Sequence, residues 1–218
     1  VALTGAPAAP AARRARLAWA VLVWLSAFAL YAPVAQTLGE RGTVDHADVL
    51  FDADCGWYLD GFANGGHTAH GSFGGRSWVH PNVYNLVHPP IAALGSVVGR
   101  VAGASAAAGA RRQAALMVAP VAGATRTAVL FLALTEVGFA IPAALTAVTL
   151  GAVAFSGAFF AVVPESFGLS GAAFAWLLYL AARAFTRGRV SRAAWWTAGT
   201  LLAGFTITNL LSFAALAA

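Results

Sequence analysis

Apolar and polar positions in this chain are segregated into long blocks rather than mixed. Leu17 to Gln36 carries no charge over 20 residues, about the length a helix needs to cross a hydrocarbon core of roughly 30 Å. Arg13, Arg14 and Arg16 stand immediately before it. A signal peptide also has a basic start, but its apolar core is shorter, about 7–15 residues. The pattern therefore predicts a tail over residues 1–16 and a first transmembrane helix over 17–36. Residues 37–84 are polar, with glycine patches at Gly65–Gly66, Gly71 and Gly74–Gly75 that predict loops. Ile91 to Ala108 is apolar and small, interrupted by Arg100 and by glycines. It predicts a helix lying at the membrane surface, so that 37–110 forms one large external segment.

Four further spans are expected over 111–218. The first runs from Arg111 to about Leu134 with Arg126 inside it, where a charge costs at least about 2.5 kcal/mol on insertion scales. Phe139 to Val163 is a span that ends at Pro164-Glu165-Ser166. Ser170 to Ala182 begins the return, and Trp196 to Ala217 is the last span. Between them Arg183, Arg187, Arg189 and Arg192 sit beside Trp195 and Trp196, a basic loop with an aromatic anchor at the membrane interface. The fold expected is thus an all-α polytopic membrane protein with about five transmembrane helices. The N-terminus is cytoplasmic by the positive-inside rule, which puts Glu165 and the long polar segment on the external face.

Composition strengthens this picture. The 218 residues are 60% hydrophobic and only 10% charged, with mean hydropathy +0.74, whereas a soluble domain carries about 25% charged residues. All 13 basic residues are arginine, which with the abundant Ala, Gly and Val points to a GC-rich bacterial genome and a plasma-membrane location. The arginines are too scattered for a nucleic-acid surface, so none is expected as a partner. A single cysteine excludes an internal disulfide. The chain starts at Val1 and stops at Ala218 within an apolar run, and is read as a fragment of a longer membrane protein.

Chemistry concentrates between Asp45 and Pro90. That stretch holds all five histidines, five of the eight acidic residues and the cysteine. Asp52 and Asp54 lie two apart among Phe51, Trp57 and Tyr58. Two carboxylates so spaced can share a divalent cation or act as base and helper; elsewhere an Asp-x-Asp pair is commonly a solvated loop. His80-Pro81 and His88-Pro89-Pro90 follow. A histidine can orient a phosphate, and the paired prolines predict an extended lead into the next helix. His67 and His70 are spaced i, i+3, but in a glycine-rich loop, with no second cysteine or His-Glu-x-x-His to make a zinc site. No metal is assigned on that ground.

The order of these pieces resembles the GT-C fold glycosyltransferases, in particular the protein O-mannosyltransferase, aminoarabinose-transferase and related bacterial groups. The shared sequence is one span, a large external loop with an acidic motif just before a tyrosine, a His-Pro-Pro, and a multispan remainder. The match covers the chain as the N-terminal half of such an enzyme. In that family an Asp-Glu pair often stands four and three residues before an aromatic. Counted back from Tyr58, the first position is Asp54 and the second is Cys55, a departure that Asp52 can offset. His88-Pro89-Pro90 matches the family motif as it stands, and Glu165 falls where relatives often carry an acid.

The resemblance implies inverting transfer of a sugar from a polyprenyl-phosphate donor to a lipid, glycan or protein acceptor at the external face. Asp54 would be the base and Asp52 its helper or cation ligand. Tyr58, His88, Glu165, Arg76 and Arg100 would contact substrate, with Arg111 a further candidate for stabilising the leaving phosphate. Two other readings compete. One is a non-catalytic multispan transporter or structural protein whose external loop recognises a ligand. The other is a different enzyme of lipid-linked intermediates, such as a phosphatase or ligase.

Overall fold

The computed structural model describes residues 10–45, 55–64, 81–188 and 190–205, and these are helical with no strand among them. The helices are α1 (Pro10–Glu40), α2 (Cys55–Asn64), α3 (Pro81–Ala102), α4 (Ala104–Leu116), α5 (Val118–Glu136), α6 (Ile141–Val153), α7 (Phe155–Val162), α8 (Ser166–Arg187) and α9 (Arg192–Phe205). Three stretches are long and apolar enough to cross a membrane: Ala12–Glu40, Ala104–Glu136 and Ser166–Arg187. Counting α6 and α7 together as one bent span makes a fourth.

α5 is the central element. It packs along α8 on one side and α1 on the other, and also meets α6 and α7. Small residues allow the closest of these approaches. A Cβ added at Gly123 would lie 2.4 Å from Ala161 Cβ, and one at Gly168 would lie 2.7 Å from the Phe160 carbonyl. Within lipid, helices associate through such close packing rather than through the hydrophobic effect. α1 is apolar around its whole circumference, and Leu17, Val21, Leu22 and Leu25 are each about half exposed. A helix of that kind suits contact with acyl chains.

The helices share a common polarity of ends. Arg16 at the start of α1 bonds Glu136 at the end of α5 at 3.2 Å, and Arg187 at the end of α8 joins the same carboxylate. At the other end, Gly39 of α1 packs against Leu116, just before α5, and Glu165 begins α8. α8 alone separates these levels by about 33 Å at 1.5 Å per residue.

Several boundaries differ from those expected. The tail over 1–16 is helical from Pro10 onward, so α1 extends past both ends of the 17–36 window. The external segment contains α2, whose buried Cys55, Tyr58, Leu59, Phe62 and Ala63 recur at helical spacing. The surface helix starts at Pro81 rather than Ile91 and turns at Gly103, whose φ of +88° suits glycine alone. α3 and α4 then pack side by side as a hairpin. Pro89 and Pro90 do not precede this helix; they lie inside it. Each removes one backbone bond and leaves the carbonyl four residues earlier without its partner. Both prolines are exposed, so solvent or headgroups can take up those carbonyls.

The Phe139–Val163 span is not a single helix either. It bends by 67° between α6 and α7, at Ala154 with φ −58° and ψ 143°. Long-range partners stabilise the break. The Tyr31 hydroxyl of α1 donates to the Ala152 carbonyl at 3.0 Å, one of the carbonyls released at a helix end. Arg126 of α5 donates to the Gly157 carbonyl at 2.9 Å. A Cβ at Gly157 would lie 1.9 Å from the Gly151 carbonyl oxygen, so the two segments touch backbone to backbone. The charged residue inside the second candidate span thus has a partner in the first turn of α7, next to the break.

Candidate active site

α2 carries the first part of the site. Its apolar stripe docks onto α3 and α4, burying Cys55 and Tyr58 to 1% and 4% exposure. Tyr58 lies 5.8 Å from the Phe62 ring, centre to centre. The end of α2 is met by His88, whose Nδ1 lies 3.1 Å from the Phe62 carbonyl oxygen. A carbonyl only accepts, so Nδ1 carries the proton in this contact. The bond satisfies a carbonyl in the last turn of a helix and leaves Nε2 as the other ring nitrogen.

Glu165 supplies the second part. It is the N-cap of α8, extended at φ −146° and ψ 159°, and its side chain accepts from the Ser166 backbone N–H at 3.2 Å. The residue is 6% exposed. Its charge reaches Cys55: burial first, and the Glu165 carboxylate second, push the thiol up to about 11. The start of α2 therefore lies within electrostatic reach of Glu165, although 110 residues separate Cys55 from Glu165 in the chain. At neutral pH such a thiol stays protonated, an inert buried cysteine rather than a nucleophile.

The other residues expected in the site fall into three groups. Asp52, Asp54 and Arg76 lie outside the described residues, as do His46, His67, His70 and His80. Arg100 is exposed and its Nε donates to the Ser96 carbonyl of its own helix at 3.3 Å. It is twelve residues from His88 on α3, about 18 Å along the axis, and so is not brought to the same place. Arg111 lies across Gly95, where an added Cβ would meet its Cγ at 2.5 Å; it packs α4 against α3. Arg112, beside it, bonds the Gly39 carbonyl at the end of α1 at 3.2 Å and forms an ion pair with Asp45. Two arginines at the nominally external end thus have structural partners, which explains a charge pattern that topology alone does not. Among the described residues, no group of three or more His, Cys, Asp or Glu side chains gathers as a metal site.

One component gave no signal as a motif. An apolar groove of about 620 Å³ runs between α3, α5, α8 and α9. Val87 and Pro90 flank it on α3, Leu169 on α8 lies one turn from Glu165, and Trp176 and Phe205 line it further on. Among the described residues that line it, Thr125 carries the one hydroxyl, to which the Trp24 indole N–H donates at 3.1 Å. The groove starts beside the His88-Pro89-Pro90 stretch of α3 and has the volume and polarity of a hydrocarbon site. None of the family models, curated proteins or solved structures compared with the chain matches it.

Proposed function

We propose that this chain belongs to a membrane glycosyltransferase of the GT-C type, with five spans and its site on the external face of a bacterial plasma membrane. The observation that supports the proposal is that Glu165, within electrostatic reach of the α2 start, stands one turn from a long apolar groove lined by Leu169. Asp54 is joined by a peptide bond to Cys55, the residue that feels the Glu165 charge. On this reading the acidic motif and Glu165 serve one site. The groove takes the polyprenyl chain of the donor.

In the reaction, the acceptor hydroxyl oxygen attacks the anomeric carbon while its proton passes to Asp54. The bond from that carbon to the lipid phosphate oxygen breaks, and the phosphate leaves with the electron pair. A single displacement inverts the anomeric centre. Asp52 assists the base, Glu165 and Tyr58 position sugar and acceptor, and His88 Nε2 and Arg76 stabilise the phosphate.

The test is sugar transfer by membranes carrying the full-length protein, using a radiolabelled polyprenyl-phosphate sugar. Asp54→Asn should lower transfer at least about 100-fold, the scale of a lost general base. Transfer at the wild-type rate by this variant would sink the reading. A second reading, a transporter, draws on the α6–α7 break, since interrupted helices often frame transport sites. It predicts that Asp54→Asn leaves the protein's activity intact and that uptake, not transfer, depends on Arg126.

A further inference from the structure

The opposite end of the bundle holds a second polar site, independent of the transferase reading. A narrow cleft of about 60 Å³ lies between α1, α5 and α8, lined by Arg13, Arg16, Arg183 and Arg187 together with Glu136 and Tyr179. Four guanidinium groups thus surround one carboxylate. Glu136 is fully engaged: Arg187 Nη2 donates to it at 2.9 Å, Arg16 Nη1 at 3.2 Å and the Thr186 hydroxyl at 3.2 Å. Arg13 and Arg183 have no carboxylate partner among the described residues. Arg183 Nε is buried with no hydrogen-bond acceptor, and its guanidinium lies 5.8 Å from the centre of the Tyr179 ring.

A buried donor without an acceptor, inside a cluster of like charge, favours an anion at that position. Arginine forks match the oxygens of a phosphate in geometry and charge. The cleft, of about 60 Å³, has room for a phosphate group. Position adds to this. Glu136 and Arg187 are the last residues of two candidate spans, and Arg13 is in the first turn of a third. The cleft therefore sits at the level where phospholipid headgroups meet the bilayer surface.

We infer that this cleft binds a phosphate anion, bridging Arg13 and Arg183 and clamping α1 to α8. An anionic phospholipid headgroup and free inorganic phosphate share that chemistry. Native mass spectrometry of the full chain, titrated separately with phosphatidylglycerol, phosphatidylcholine and inorganic phosphate, distinguishes them. Phosphatidylglycerol should bind at least about fivefold more tightly than phosphatidylcholine, and Arg13→Gln and Arg183→Gln should each weaken it about fivefold, the scale of one arginine at an anionic surface. Arg13 is exposed, so its replacement leaves the fold intact even where Arg183→Gln does not. Displacement of the lipid by millimolar phosphate would assign the site to the soluble anion; retention of the lipid would assign it to the headgroup. Equal binding of the two lipids with no phosphate bound, or unchanged affinity in Arg13→Gln, overturns the proposal.

Discussion

Glu136 and Glu165 close opposite ends of the same helix pair, α5 and α8, and both are largely buried. Their surroundings differ. Glu136 accepts from Arg16, Arg187 and Thr186, drawn from α1 and α8, and so ties three helices at one point. Glu165 caps its own helix, and its charge reaches the buried Cys55 thiol at the start of α2. A carboxylate surrounded by arginines has its charge used up in holding the fold. One placed at a helix start beside another helix start and an apolar groove keeps its charge directed at a site. The same residue type is structural at one end and, in our proposal, functional at the other, because the neighbours decide what its charge does.

The identical substitution at both ends tests this contrast. Glu136→Gln should show the larger effect on stability. It leaves two arginines without their counter-charge, and should cost roughly 2 kcal/mol, less than for a fully buried pair because Arg187 is 41% exposed. Thermal unfolding in detergent measures it, and an unchanged midpoint would show that the triad is not a tie. Glu165→Gln keeps an oxygen able to accept the Ser166 N–H, so its cost in the same assay should stay below about 1 kcal/mol. Sugar transfer by the full-length protein should nevertheless fall about tenfold as a positioning charge is lost. A large loss of stability with normal transfer would reverse the assignment of the two ends.

Tyr31→Phe addresses the region between the ends. It leaves the buried Ala152 carbonyl without the 3.0 Å hydroxyl bond, and about 1 kcal/mol of stability should go with it. The smallest effect concerns Cys55. With its thiol near 11, alkylation of the native protein at pH 8 should be at least about 100-fold slower than that of an unperturbed thiol. Burial is the larger cause and the Glu165 charge the lesser, so removing the charge favours the thiolate. Glu165→Gln should therefore speed alkylation only about two- to threefold at a fixed pH. A rate unaltered by the substitution would separate Cys55 from Glu165 and dissolve the candidate site.

Different parts of this molecule were readable to different depths. The span over 17–36 and the return beginning at Ser170 follow from uncharged apolar runs, and the structure places long helices there, the second starting at Ser166. α2 was also readable: Cys55, Tyr58, Leu59, Phe62 and Ala63 are spaced as one helical face. The short acidic motif beside them and the surrounding glycines pointed to a loop instead. Pro89-Pro90 misled in the opposite direction. A local breaker rule predicts a boundary, while α3 continues through it because the two prolines fall at exposed positions. The α6–α7 break had little local signal: Gly151 and the Ser156-Gly157 pair, in an otherwise apolar run from Leu150 to Phe160.

What residue order alone determines here is which segments avoid water, because hydropathy is a sum over neighbours in the chain. It also supplies the residues with chemistry: Glu165 and His88 were singled out before their partners were known. Tertiary structure decided the rest. That Tyr31 and Arg126 would support the α6–α7 break, that Cys55 would lie within reach of the Glu165 charge, and that four arginines would crowd one glutamate depend on residues 31 to about 170 positions apart coming together. Such contacts exist only once α1, α5 and α8 have packed, when a low dielectric and close backbones make each unmet charge or carbonyl count.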